Sequence, residues 1–299
     1  MITPDSVKAR LKQLAVIGNK PFDYLLTYYF IERIIYRISV SAYADNFILK
    51  GGLLLYTILE NDARATRDID FLARRLNNTL ENLTNVFASI CSIELDDAVR
   101  FDLNTITAER IKEGADYEGV RVKVTGFLDK TRHVLQLDIG FGDVVIPKPV
   151  ITEYPTIFDM EPPLIYVYSR ESVIAEKFEA MLYLAEANSR MKDFYDIYSL
   201  CTSFDFDGRV LYEAILQTIT RRKTHTPQDP TVFDKDFANN RDKATQWGAF
   251  KRRTSVGGDL EFPQVTDVIG VFLKPIYECI VAEKEFIGYW EKDTGRWTV

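Results

Sequence analysis

Asp68 and Asp70 flank a single isoleucine inside "RDIDFLARR", a stretch otherwise composed like a buried strand. Residues i and i+2 of a strand emerge on the same face, roughly 6 to 7 Å apart along the chain. Both carboxylates are therefore expected on one side. Two such charges repel by about 1 kcal/mol at 4 Å in water and about 4 kcal/mol at an effective dielectric constant of 20. A fold that keeps them must supply compensation, and a divalent cation does so directly. Hard oxygen donors at this spacing suit Mg2+ or Mn2+, ions that stabilise the attacking and leaving oxygens of a phosphoryl transfer.

Two further features sit in order around this pair. Upstream, "LKGGLLLY" places Lys50, Gly51 and Gly52 where a helix is expected to begin. Without side chains, the glycines let backbone N–H groups approach phosphate oxygens. Downstream, "VLQLDIGFG" alternates, with Leu135, Leu137 and Ile139 on one face and Gln136 and Asp138 on the other. Asp138 is thus the natural third metal ligand, and the glycines that follow suggest that its strand ends there. An isolated Asp-x-Asp is more often a solvated strand edge, and a Gly-Gly pair more often a turn. Their order along the chain is what restricts the reading.

The first fifty residues read as helices, with Val7, Leu11 and Leu14 at helical spacing and a dense apolar stripe through "FDYLLTYYFIERIIYRI". A helix is expected from about Leu53 to Leu59, a turn in "NDARAT", a helix over 77–90, and strands in "RFDLNTITAERI", "VRVKVTGFL" and "HVLQLDIGFG". A proline-marked connection from Pro147 to Pro163 leads to the apolar "LIYVYS". Beyond it, "SRESVIAEKFEAMLYLAEA" is a helix capped by Ser169, with Ile174, Phe178, Met181 and Leu182 as its buried stripe. Further helices fit "KDFYDIYSLC", "GRVLYEAILQTITRR" and about Thr266 to Tyr289, whereas 224–262 reads as polar and irregular. The expected organisation is a mixed α/β domain over 1–165 and a helical domain over 166–299.

Composition narrows the chemistry. With 46% hydrophobic and 13% aromatic residues, the 299-residue chain is globular. It shows no apolar run of the roughly 18 to 20 residues that cross a bilayer and no secretory apolar region, so a cytoplasmic protein without membrane contact is expected. Cys91, Cys201 and Cys279 are widely spaced and fit the core better than a disulfide or thiolate site. Two histidines, His133 and His225, argue against His-ligated zinc. A net charge of −7 gives no bulk attraction to nucleic acid. Two basic clusters remain as local candidates, Arg221, Arg222 and Lys223, and Lys251, Arg252 and Arg253.

The sequence of glycine pair, helix, turn and Asp-x-Asp strand resembles the nucleotidyltransferase superfamily. "LKGGLLLY", "RATRDIDFL", "AEKFEAML" and "SRMKDFYDIYSL" are more closely similar to the AbiEii-type nucleotidyltransferase toxins of type IV toxin–antitoxin and abortive-infection systems. The likeness covers most of 24–200 and is looser beyond. It implies an α+β fold, a nucleotidyltransferase-like mixed sheet flanked by helices with an α-helical C-terminal domain. It also implies a metal-dependent enzyme that moves a nucleoside monophosphate from a nucleoside triphosphate to a hydroxyl, with the 3′ end of tRNA as acceptor and a cognate antitoxin as partner.

Carried onto this sequence, the family pattern puts Asp68 and Asp70 on the catalytic metal, with Asp138 as a further ligand, and Gly51 and Gly52 beside the triphosphate with Lys50. Lys177 matches the second motif and offers a mobile charge to the triphosphate. Asp193 matches the third and either holds Lys177 or acts as general base; otherwise it caps the next helix in competition with Ser189. Asp196 suits a structural pair with Lys192. Arg64 and Arg67 balance phosphate charge or neutralise the carboxylates. One departure is Gly52, where many relatives carry serine, so that a hydroxyl contact to phosphate is missing. Trp247 and the tyrosines are candidates for base stacking, with the core as the simpler place for them. Two other readings stay open: an acceptor that is a protein or small molecule, and a nucleotide-binding module without turnover.

Overall fold

The structure is a computed structural model that describes residues 2–59, 64, 66–112, 118–254 and 256–298. Most of the turn expected in "NDARAT" lies outside the described residues. The chain divides into two compact units. One takes Thr66–Gly142 and Val150–Val167 with the N-terminal residues as far as Thr57; the other takes Tyr168 onward, Asp143–Pro149 and the short segment containing Arg64.

In the first unit, Thr3 caps α1 (Pro4–Ile17) by accepting from the Ser6 N–H, and Val7 and Leu11 are its buried residues. The apolar stripe forms α2 (Phe22–Ser39). Four buried residues make β1 (Phe47–Lys50), which runs straight into α3 (Gly51–Leu59). Next come β2 (Ile69–Ala73), α4 (Leu80–Cys91), β3 (Arg100–Lys112), β4 (Glu118–Leu128) and β5 (Thr131–Phe141). Two short strands, β6 (Val150–Glu153) and β7 (Leu164–Val167), complete a seven-stranded mixed sheet in the order β3-β4-β5-β2-β1-β7-β6. β2 runs parallel to β5 and antiparallel to β1, and β1 runs parallel to β7.

The two faces of this sheet differ in kind. Leu49, Phe71, Ile139 and Val120 are cross-strand neighbours on one face, and all four are buried. Phe47 meets Phe71 edge-on there and Phe87 of α4 at a tilt, with ring centroids 5.6 and 5.5 Å apart. The opposite face carries the charged residues described below.

The second unit is mainly helical: α5 (Arg170–Leu184), α6 (Met191–Ser203), α7 (Gly208–Arg222), α8 (Lys235–Ala238), α9 (Arg241–Thr254) and α10 (Phe262–Val281). Ser169 caps α5 as expected, and Ile174, Phe178, Met181 and Leu182 are buried. Three short strands, β8 (Phe206–Asp207), β9 (Tyr289–Glu291) and β10 (Arg296–Thr298), form a small sheet. The core joins Phe194, Phe237 and Phe262 to Trp247.

Several boundaries differ from the sequence reading. β5 continues through Gly140 to Phe141, because Leu72 and Ala73 of β2 pair with those two residues. β6 arises inside the proline-marked connection, paired with β7. α9 occupies the stretch read as irregular; only Lys243, Trp247 and Phe250 are buried on it, too sparse a stripe to register as helical period. α10 starts at Phe262, where Glu261 and Gln264 form a capping box, and it stops at Val281, short of Tyr289, which pairs into β9. Cys91 and Cys201 are buried and Cys279 is half-buried.

Candidate active site

The sheet pairing builds a row of charges on one face. Lys50 of β1 is the cross-strand partner of Asp70, Asp70 the partner of Asp138, and Asp138 the partner of Arg121 on β4. Neighbouring strands lie about 5 Å apart, so the order across the face is cation, anion, anion, cation. Two like charges side by side destabilise a sheet unless neighbours offset them, and Lys50 and Arg121 bracket the pair. Lys50 is buried and Asp70 half-buried.

Asp68 precedes the strand, which begins at Ile69, and is exposed. It therefore lies on the segment leading into β2, whereas Asp70 is within the strand, so the two do not share a regular strand face. Its field still reaches Arg121, whose pKa is raised first by the hydrogen bond to Asp138 and in smaller part by Asp68. Arg67 is exposed beside it.

The glycine pair answers to the protein's own packing. Gly51 opens α3 with φ +69°, and a Cβ there would lie 2.1 Å from Asp70 Oδ2. At Gly52 a Cβ would lie 2.9 Å from Thr66 Oγ1. The β1–α3 turn thus presses against the acidic strand, with the Asp70 carboxylate packed over Gly51. Gly51→Ala is expected to strain the left-handed backbone by about 1–2 kcal/mol and push the Asp70 carboxylate aside. Transfer activity should fall by at least about tenfold, beyond what the stability loss explains; equal activity per folded molecule would contradict this. Any side chain at 52 has to displace Thr66.

Asp138 lies beside Asp70 as expected, but its carboxylate is held by Arg121 in a bidentate pair, with Nε–Oδ1 and Nη2–Oδ2 both 2.8 Å. Among the described residues no three His, Cys, Asp or Glu side chains gather into a cation site. Mg2+ commonly takes one or two carboxylates and completes its shell from substrate phosphates and water. Asp68 and Asp70, exposed and half-buried, fit that smaller requirement.

Lys177, Asp193, Asp196 and Arg64 all belong to the second unit and form one buried network. Lys177 Nζ donates to Asp193 Oδ1 at 2.9 Å and to Asp196 Oδ2 at 2.7 Å. Arg64 grips Asp196 with Nε–Oδ1 2.9 Å and Nη2–Oδ2 3.0 Å. Arg190 Nε lies 2.6 Å from Asp193 Oδ2 without hydrogen-bond alignment. Burial alone would lower the Lys177 pKa, but Asp193 and Asp196 outweigh it and hold the ammonium above its ordinary value. Burial would likewise raise Asp193, yet Lys177 and Arg190 hold it below the usual carboxylate range.

The sequence reading of these residues is corrected in three respects. Lys177 is not a mobile charge, because two carboxylates and burial fix it. Asp196 takes Lys177 and Arg64 as partners, not Lys192. Asp193 does not cap α6, whose N-cap is Arg190 without a side-chain bond. A carboxylate with a lowered pKa is a weak proton acceptor, so of the two remaining roles the geometry favours holding Lys177.

The basic clusters are partly spent on the chain itself. Arg222 pairs with Glu179 at 2.8 Å and Asp143 at 3.1 Å. Lys251 donates to the Leu260 carbonyl at 2.9 Å and contacts Glu261 at 3.0 Å. Arg221, Lys223, Arg252 and Arg253 remain exposed. Trp247 is 1% exposed and donates to the Leu260 carbonyl, so it is core.

Arg121 is the residue that the sequence reading missed. Its signal was present: "LDKT" is a two-residue hairpin turn pairing Leu128 with Thr131, and counting back along both strands sets Arg121 opposite Asp138.

A family model described as nucleotidyl transferase AbiEii toxin, type IV TA system, matches residues 33–269. No curated protein matches the chain. Two solved structures are similar in outline. One, described as a "putative nucleotidyltransferase from H. pylori", is 14% identical over 88% of this chain and 99% of that one, with TM-score 0.49. The other, JHP933 from Helicobacter pylori, is 15% identical over 87% of this chain and 94% of that one, also with TM-score 0.49.

Proposed function

This chain belongs to the nucleotidyl transferase AbiEii toxin family of type IV toxin–antitoxin systems, and on that premise we propose that it transfers a nucleoside monophosphate to the 3′ end of tRNA. It is a nucleotidyltransferase; the acceptor and the metal are our reading. The observation that carries the reading is the placement of Asp70 between the β1–α3 glycine turn and Asp138, with Lys50 as its cross-strand partner.

In this reading the acceptor oxygen attacks the α-phosphorus. The new P–O bond forms as the bond to the β-phosphate bridging oxygen breaks, pyrophosphate leaves, and the hydroxyl proton passes to solvent. Asp68 and Asp70 would hold Mg2+ or Mn2+, which when bound acidifies the hydroxyl and offsets phosphate charge. Lys50, Arg67 and the N–H groups at the start of α3 orient the triphosphate. Lys177 and Asp193, in the second unit, match the family pattern by residue type, with Asp193 positioning the lysine. Blocking the tRNA end stops translation, which makes the enzyme a toxin restrained by a cognate antitoxin in the cytoplasm. No described helix is long and apolar enough to cross a membrane.

A second acceptor class, a protein or small-molecule hydroxyl, is favoured by the charge of −7 and by the engagement of Arg222 and Lys251 within the chain. Incubating the protein with α-labelled nucleoside triphosphates, Mg2+, total RNA, cell protein and small hydroxylated metabolites separates the two. Label is expected in the tRNA fraction and to be lost on trimming the 3′ end. Label on protein or metabolite alone would remove tRNA from the proposal.

A further inference from the structure

We infer that Arg121 is a triphosphate-binding residue and that Asp138 positions its guanidinium and is not a third metal ligand. The inference rests on the nucleotidyl-transfer reading and deepens it.

The first ground is geometry. Arg121 and Asp138 are direct cross-strand partners on the face that carries Asp70 and Lys50. Arg121 meets Asp138 side-on, through Nε and Nη2. With its amide oxygen turned toward the guanidinium, Gln136 accepts on the same edge, at 3.0 Å from Nε and 3.2 Å from Nη2. A guanidinium has five N–H donors in a rigid fork. The side-on pair uses the Nε edge and leaves the two Nη1 donors and the outer Nη2 donor on the end-on edge, the one that takes a phosphate through two parallel bonds.

The second ground is exposure and charge. The Arg121 side chain is 31% exposed, whereas Asp138 beneath it is 13% exposed. The cation therefore stands outermost and the carboxylate is covered. Asp68 is exposed and acts electrostatically on Arg121, and the strand pairing puts Arg121 one strand beyond Asp138 from Asp70, so the guanidinium belongs to the face where a triphosphate would add negative charge. A carboxylate whose two oxygens each already accept a 2.8 Å bond from one guanidinium, and which is largely covered, is a weaker candidate for a metal ligand than the exposed Asp68 or the half-buried Asp70.

The test is equilibrium binding on the full chain, using Mn2+ alone, each of the four ribonucleoside triphosphates, and their monophosphates. Arg121→Ala and Asp138→Asn are expected to weaken triphosphate binding by at least about tenfold. Monophosphate binding should change far less, and Mn2+ affinity should stay within about threefold of the unaltered chain. Arg121→Lys keeps the charge beside Asp138 and hence the strand pairing. It should still lose severalfold in triphosphate affinity, because an ammonium cannot make the fork, and it covers the case in which Arg121→Ala does not fold. Two results overturn the inference: Mn2+ binding lost in Asp138→Asn as fully as in Asp70→Asn, or triphosphate binding unchanged in Arg121→Lys and Arg121→Ala. If the unaltered chain binds no triphosphate at all, the transfer reading falls and this inference with it. Binding that survives every Arg121 substitution overturns the inference alone.

Discussion

Asp70→Asn is expected to lower nucleotidyl transfer by about 10³-fold, the scale on which removing one charge-stabilising group acts, and to abolish growth inhibition when the chain is expressed without its antitoxin. The substitution is isosteric, so it makes no new contact with Gly51, over which the carboxylate lies. It also relieves the repulsion between Asp70 and its neighbour Asp138. What it removes is negative charge at the one position bracketed by the glycine turn and Lys50. Transfer is read as label incorporated per folded molecule, and toxicity as colony formation after induction. Toxicity that persists at full strength without transfer would mean that the chain inhibits growth by binding, and the non-catalytic reading would replace the enzymatic one.

Lys177→Ala has the largest expected effect on stability. It strips the shared cation from two carboxylates that are each 1% exposed. Breaking a buried pair by removing one partner costs about 3–5 kcal/mol, because the other charge is left without compensation. Arg64 still holds Asp196 and Arg190 still neighbours Asp193, so a loss of about 3 kcal/mol, the lower end, is expected. The three tryptophans, Trp247, Trp290 and Trp297, all lie in the second unit, and their fluorescence during urea unfolding reports on that unit alone. Adding Asp193→Asn, which removes the carboxylate left with only the half-exposed Arg190 beside it, should recover part of the loss. An unchanged unfolding midpoint with lost activity would show that Lys177 serves the substrate and contributes little to the fold.

The same network governs pH dependence. Asp193 has a lowered pKa, so its contribution is present above its ordinary value of 3.8 and is lost as pH falls through the folded value. Lys177 has a raised pKa, so its contribution is present below its ordinary value of 10.5 and is lost as pH rises through the folded value. Between those limits the pair stays charged, which suits a holding role better than proton transfer.

Local order along the chain settled the parts governed by neighbours in sequence. The stripe of α2, the alternation of Leu135, Leu137 and Ile139, and the Ser169 cap all follow from spacing of two to four residues. Gly51 and Gly52 were legible as special positions, yet their reason was not. Only the close approach of Asp70 and Thr66, brought in by the β1–β2 pairing, shows what a side chain would strike.

Pairing across distance decided the rest. Gly140 is a strand residue because Leu72 lies beside it in β2, and Trp247 is core because Phe250 and Phe262 surround it. Asp138 looked like a ligand for want of a known partner. The hairpin register gives it Arg121, and the fold of the second unit gives Lys177 its two acids. A carboxylate's role depends on which charge is within about 3 Å, and that distance is set by contacts between residues far apart in the chain, to which residue type and spacing are blind.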